Sequence, residues 1–236
     1  MIQLDKLTLG YEDRTLIEGA KTTFSSGSLT ALIGRNGTGK STLLRALAGL
    51  GEVRRGTIRL CGDPLEEIRP EELARRIAFV ATERIRIANL RCRDVVALGR
   101  APYTNWIGRM QEQDREAVEQ ALVQVGMADY ADRTLDRMSD GECQRILIAR
   151  ALAQATPIIL LDEPTSFLDL PNRYELVRLL RRLAHEEKKC ILFSTHELEI
   201  ATALCDTIAL VDTPHLHHLQ TEEMQQSGLI ERLFRI

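Results

Sequence analysis

Residues 34–42, GRNGTGKST, constrain the fold more tightly than any other stretch of the chain. They match the spacing GxxxxGK[ST] in full. Gly34, Gly37 and Gly39 let the backbone curl until successive N–H groups converge on an anion, with Arg35, Asn36 and Thr38 carried between them. The loop needs a helix directly after it, because the helix start adds aligned N–H groups and the positive end of a dipole. Both flanks agree. TALIG before the loop is a short apolar run ending in glycine, and KSTLLRALAGL after it has helical spacing. The expected unit is a strand, a tight loop and a helix around a phosphate chain. In it Lys40 supplies a point charge for the β and γ phosphates, Ser41 a hydroxyl for Mg²⁺, and Thr42 closes the motif.

The same grammar returns later. PIILLDEP reads as a fully buried strand, followed by a helix that Pro171 opens and that is apolar at Tyr174, Val177, Leu180 and Leu183. CILFS, ELEIATALC and TIALV then read as strand, helix and strand. Such alternation predicts an α/β fold with a mostly parallel sheet covered on both faces. IQLDKLTLGY and GTIRLCG alternate apolar with polar residues, which suits a small antiparallel sheet at one edge. Between about residues 84 and 155, RDVVALG, EQDREAVEQALVQVG and DGECQRILIARALAQ are helical patterns and predict an inserted helical subdomain. The chain is 236 residues long and 44% hydrophobic, enough for one large core. No repeat or linker divides it, so residues 1–236 are expected to form a single domain, with 1–83 and 156–236 as its α/β core.

Several classes of protein drop out. The longest apolar runs, such as IILL, fall far short of the roughly 20 residues of a membrane span. The N-terminal stretch lacks a basic start followed by an apolar block, so no secretory signal is expected. Five cysteines form no CxxC pair and are odd in number, which disfavours both a disulfide framework and a zinc knuckle. A net charge of −3 gives no overall attraction for nucleic acid. The basic run at residues 83–94 reads either as a solvated face or as a docking surface. His215, His217 and His218 in HLHHL read as a strand edge or solvated segment rather than a metal site.

Chemistry beyond phosphate binding needs a metal-directing acid and a base. The buried strand IILL ends abruptly in Asp162 and Glu163, which places two acids at a strand's carboxyl end, where open α/β sheets bind ligands. Asp162 would hold Mg²⁺ through water, and Glu163 would polarise an attacking water. His196 in STHE follows another strand and could reach the same sheet edge to bond a γ phosphate.

GRNGTGKST, MSDGECQR, IILLDEPTSFLDL and STHE, in that order, together resemble the nucleotide-binding subunit of an ABC transporter over nearly the whole chain. The resemblance implies a P-loop NTPase core, ATP and Mg²⁺ as ligands, and ATP hydrolysis. MSDGE stands where that family carries its signature, usually LSGGQ. It implies that Ser139, Gly141 and Glu142 meet ATP held by the phosphate loop of a second copy, in a head-to-tail dimer. By the same matching Tyr11 would stack on adenine, and Asp169 in SFLD would reach across the dimer. Two departures stand out. The family's Q-loop glutamine is absent after IAFVA, where Thr82 or Glu83 must stand in; Glu83 is the favoured Mg²⁺ ligand because a carboxylate is a harder oxygen than a hydroxyl. Asp140 replaces a signature glycine; it should point away from a γ phosphate and cap the following helix instead.

DVVALGRAPYTNWIGRMQEQD resembles the matching segment of importers for iron-siderophores, haem and cobalamin. That likeness implies a transmembrane permease as partner, docked near Tyr103 and Trp106, and indirectly an extracytoplasmic substrate-binding protein. It also implies a peripheral position on the cytoplasmic side of the cell membrane. The alternative is a soluble ABC-type ATPase acting on protein or nucleic-acid assemblies without a permease.

Overall fold

The computed structural model describes residues 1–82, 88–104 and 109–234. Within these, the strands run in chain order as β1 (Ile2–Tyr11), β2 (Arg14–Phe24), β3 (Ser28–Gly34), β4 (Arg55–Leu60), β5 (Asp63–Pro64), β6 (Ile77–Val80), β7 (Ile158–Leu161), β8 (Cys190–Ser194), β9 (Thr207–Asp212) and β10 (His215–Gln220). The helices are α1 (Lys40–Leu47), α2 (Pro70–Arg76), α3 (Cys92–Ala97), α4 (Glu112–Gln124), α5 (Asp140–Ala153), α6 (Leu170–Glu186), α7 (Leu198–Leu204), α8 (Thr221–Gln226) and α9 (Leu229–Phe234). None of the described helices is long and apolar enough to cross a membrane.

The strands form two sheets. One has the order β10-β9-β3-β8-β7-β6 and is parallel except for its last hairpin, β9 with β10. Its inner strands β3, β7 and β8 are mostly apolar and almost wholly buried, as expected of parallel strands covered on both faces. The other sheet, β2-β1-β4-β5, is antiparallel. β2 was not foreseen as its own strand. Its pairing with β1 shifts register three times between Leu4 and Gly10, and these bulges break the two-residue alternation by which a strand is read.

The strand order places the chemistry. β8 lies between β3, which ends in the glycine loop, and β7, which ends in the two acids. α1 is held between the two sheets. Leu43, Leu44 and Leu47 share one apolar cluster with Ile2, Leu7 and Phe24 of the antiparallel sheet and with Leu32 and Leu160 of the parallel one. Each such fully buried side chain contributes about 1.5–3 kcal/mol, so the start of α1 is anchored from both sides. A second cluster carries the parallel sheet into the helices, where Ile33 and Leu161 pack with Val96, Leu122 and Ile146 of α3, α4 and α5. Arg100 adds a polar tie there: its Nε donates to Asp114 Oδ1 at 2.9 Å and its Nη1 to the Ala153 carbonyl at 2.8 Å.

Candidate functional site

At the carboxyl end of β3 the chain turns through the glycine loop into α1 and forms one wall of an open cleft of about 490 Å³. The cleft is lined by Asn36, Gly37, Gly39, Lys40, Ser41 and Thr42, with Tyr11, Arg14, Leu16 and Glu163 around them. Gly39 has φ 106°, and a Cβ there would lie 3.0 Å from Leu16 Cβ, so this position needs glycine twice over. α1 starts without a side-chain cap and without an acidic residue in its first turn. Its leading N–H groups therefore face the cleft as an anion site. Lys40 folds back along the loop, Nζ donating to the carbonyls of Gly34 at 2.8 Å and Arg35 at 3.1 Å. Burial lowers its pKa, against the pull of the Glu163 and Asp162 carboxylates, which favour the ammonium. Thr38 Oγ1 donates to the Arg35 carbonyl at 2.9 Å and Arg14 Nη2 to the Gly37 carbonyl at 3.1 Å, so the loop is braced on two sides. Tyr11 is 58% exposed beside the cleft, and its hydroxyl meets Thr42 Oγ1 at 2.5 Å.

The acids sit one strand further along. Asp162 is buried just beyond β7, with its N–H donating to the Val80 carbonyl at 2.8 Å. Glu163 follows with φ 47°, an unusual conformation for a residue with a side chain. Its carboxylate lines the cleft and accepts from Ser166 Oγ at 3.1 Å. Ser194, at the end of β8, donates through Oγ to Asp162 Oδ1 at 2.6 Å and accepts the Glu163 N–H at 2.8 Å. Thr82 Oγ1 donates to the Asp162 carbonyl at 2.9 Å, so its proton is already committed. Glu83, expected as an Mg²⁺ ligand, lies outside the described residues, as does Trp106. His196 is exposed just past β8 and stands outside the lining of the cleft.

A second cleft, about 470 Å³, is lined by Ser139, Asp140, Gly141, Glu142, Phe167 and Asp169, with further residues from α5, from the start of α6 and from the segment after α4. It shares no lining residue with the first. Gly141 lets α5 approach the loop before α6, since a Cβ there would lie 3.2 Å from both Leu168 Cδ2 and the Phe167 carbonyl. Asp169 caps α6, its Oδ1 accepting the Asn172 N–H at 3.2 Å. The expectation that Asp140 caps α5 is corrected. Ser139 is the cap: its backbone is extended, its Oγ accepts the Glu142 N–H at 3.3 Å, and Glu142 reaches back to the Ser139 N–H at 2.8 Å. Asp140 already has helical geometry as the first residue of α5, so it contributes through the dipole instead. The Ser139 N–H, then its hydroxyl, hold the Glu142 carboxyl below the usual carboxylate range.

Sequence reasoning passed over Ser194 and Arg14. A single signal for Ser194 was present, a hydroxyl that closes an otherwise apolar strand and opens STHE. Its partner could be known only from the strand order.

Fold and site together define a P-loop ATPase cassette. The family profile for the ABC transporter matches residues 17–166, and the chain belongs to that family as an ATP-binding, ATP-hydrolysing subunit. The iron(3+)-hydroxamate import ATP-binding protein of Bacillus subtilis (strain 168) is 33% identical over 236 residues, covering 100% of this chain and 88% of that protein. The ferric enterobactin transport ATP-binding protein of Escherichia coli (strain K12) is 36% identical over 231 residues, covering 98% of this chain and 85% of its own length. Among solved structures, one described as an inward-facing conformation of a metal-chelate type ABC transporter matches with a TM-score of 0.86 at 28% identity, covering 100% of this chain and 89% of that one. A bacterial ABC transporter cassette solved as a dimer matches with a TM-score of 0.80 at 26% identity, covering 94% of this chain and 99% of that one.

Proposed function

We propose that two copies of this chain close head to tail on ATP and drive a membrane permease that imports a metal chelate. The observation that carries this reading is the separation of the two clefts. The phosphate loop and the signature segment share no lining residue, so one copy offers two half-sites, and each needs its complement from another molecule. In the closed pair Lys40 and the loop N–H groups hold the β and γ phosphates, and Tyr11 stacks on adenine. Ser139, Gly141 and Glu142 of the other copy meet the γ phosphate, with Asp169 beside them. Glu163 accepts a proton from the attacking water, and His196 bonds the γ phosphate. The hard oxygen donors of Ser41 and Asp162 fit Mg²⁺, which would neutralise phosphate charge, with Glu83 as a further ligand. Residues from about 84 to 155 act as the signature-bearing subdomain.

Support for a permease comes from an apolar groove of about 750 Å³ at the far end of α1, lined by Leu50, Val53, Leu65, Ile68, Leu73 and Phe79. Leu50 and Val53 are both exposed there, 66% and 38%, so the groove leaves adjoining apolar side chains to solvent. Gln154 closes one side, and Tyr103 donates from its hydroxyl to the Gln154 carbonyl at 3.0 Å while packing under the Arg100 guanidinium. Relatives named for iron(3+)-hydroxamate and ferric enterobactin support the chelate. An affinity-tagged chain drawn from its native membrane in mild detergent should bring a multi-helix permease with it, and uptake of ferric siderophore should stop in the Lys40→Ala strain. Recovery without any membrane protein, with siderophore uptake intact in that strain, refutes the importer reading.

A further inference from the structure

We propose that Ser194 is a positioning residue for ATP hydrolysis, holding the Asp162 carboxylate and the Glu163 backbone in one fixed relation. The inference rests on the roles given to Asp162 and Glu163 above. Ser194 is fully buried at the end of β8. Its neighbour Phe193 pairs with Leu161 of β7, so one further step along both strands sets Ser194 beside Asp162. A hydroxyl has one proton to give. Here it goes to Asp162 Oδ1 at 2.6 Å, within the short range of a charge-assisted O–H···O bond, while a lone pair takes the Glu163 N–H at 2.8 Å. The two bonds run in sequence, from Glu163 N–H to Ser194 to the carboxylate.

Each bond does something that no other described hydrogen bond does. With Oδ1 held, the Asp162 carboxylate cannot rotate about its terminal torsion, so Oδ2 keeps a single direction. Thr82 clamps Asp162 from the opposite strand, but only through the backbone carbonyl. The N–H bond steadies Glu163 at φ 47°, a conformation that persists only where the surroundings enforce it. Losing the hydroxyl therefore releases the Asp162 carboxylate and the Glu163 N–H at once, leaving Glu163 hydrogen-bonded only through Ser166 among the described residues, while the phosphate loop on β3 and α1 is untouched.

The test separates metal from nucleotide. Mn²⁺ binding in the presence of ADP, read by electron paramagnetic resonance, should weaken about tenfold in Ser194→Ala, while ADP affinity in EDTA stays within twofold of wild type. Turnover should fall at least as far with KM for ATP nearly constant, and Ser194→Thr, which keeps the hydroxyl, should recover most of both losses. Ser194→Cys, similar in size and a weak donor, should fall between and decides the matter if Ser194→Ala does not fold. Mn²⁺ affinity within twofold of wild type, or a parallel loss of metal-free ADP affinity, overturns the proposal. Asp162→Asn is measured alongside. If it binds Mn²⁺ normally, the role given to Asp162 fails; if it loses Mn²⁺ while Ser194→Ala does not, only the inference about Ser194 fails.

Discussion

His218 offers the perturbation whose size can be worked from the structure most directly. Its ring lies between the two sheets, Nδ1 against Thr22 Oγ1 at 2.7 Å and Nε2 against Thr207 Oγ1 at 3.0 Å, with the Phe24 ring centroid 4.7 Å away. A neutral imidazole donates once and accepts once, and two hydroxyls can satisfy both roles. Burial pushes the folded pKa down to about 4 from its ordinary 6.5. The sign follows: as pH falls through 6.5 the unfolded chain takes up a proton that the folded chain refuses until about pH 4. Stability therefore rises with pH across this window. The full difference is about 3 kcal/mol below pH 4, of which about 2 kcal/mol is already lost at about pH 5. Gln in place of His keeps one donor and one acceptor and cannot titrate. Urea unfolding at pH 7 and pH 5, on wild type and His218→Gln, isolates the term because all other groups titrate in both proteins. The wild type should lose about 2 kcal/mol more than the variant between the two pH values. Equal losses, within about 0.5 kcal/mol, refute the reasoning.

Asp114→Ala should cost about 3–5 kcal/mol, because it strands the buried Arg100 guanidinium, and calorimetry should show a Tm lower by about 10 °C or more. The Gln111 N–H, then Arg100, hold the Asp114 carboxyl below its usual range, so its stabilising effect is complete above about pH 4 and is lost only as pH falls through the lower folded value. The cost of the variant should accordingly be the same at pH 7 and pH 5. Asp140 lines the signature cleft instead of standing clear of it, so Asp140→Gly removes a carboxylate that would repel a γ phosphate there; in a Glu163→Gln background, ultracentrifugation should find the ATP-bound dimer at about tenfold lower ATP, a change of about 1.4 kcal/mol. No shift removes the electrostatic argument. Ser139→Arg should leave ATP binding to the isolated chain intact and abolish hydrolysis, and an active variant denies the signature cleft its role.

How much was legible depended on whether the signal was local. The glycine loop, its flanking strand and helix, and the buried strand that ends in Asp162 and Glu163 were all readable, because each is one contiguous segment whose spacing states its geometry. MSDGE was legible as a helix start, yet the choice of cap was misassigned: Ser139 has the extended backbone of a cap, while Asp140 is already helical. HLHHL was readable as a strand, but the strand pattern could not tell exposed His215 from His218, which the neighbouring strands enclose. β2 stayed hidden because bulges erase alternation.

Alone, then, the sequence determined the phosphate loop, the two acids, the alternation that makes a parallel sheet, and the resemblance that those motifs carry in order. Tertiary structure decided which of these meet. Inserting β8 between β3 and β7 brought Ser194 against Asp162, and packing α5 on the loop before α6 gathered Ser139, Gly141 and Asp169 into one cleft while keeping them off the phosphate loop. Spacing along a chain encodes the periodicity of a segment. Contacts between segments come from strand order and register, which are settled only when separate apolar faces find each other in the core.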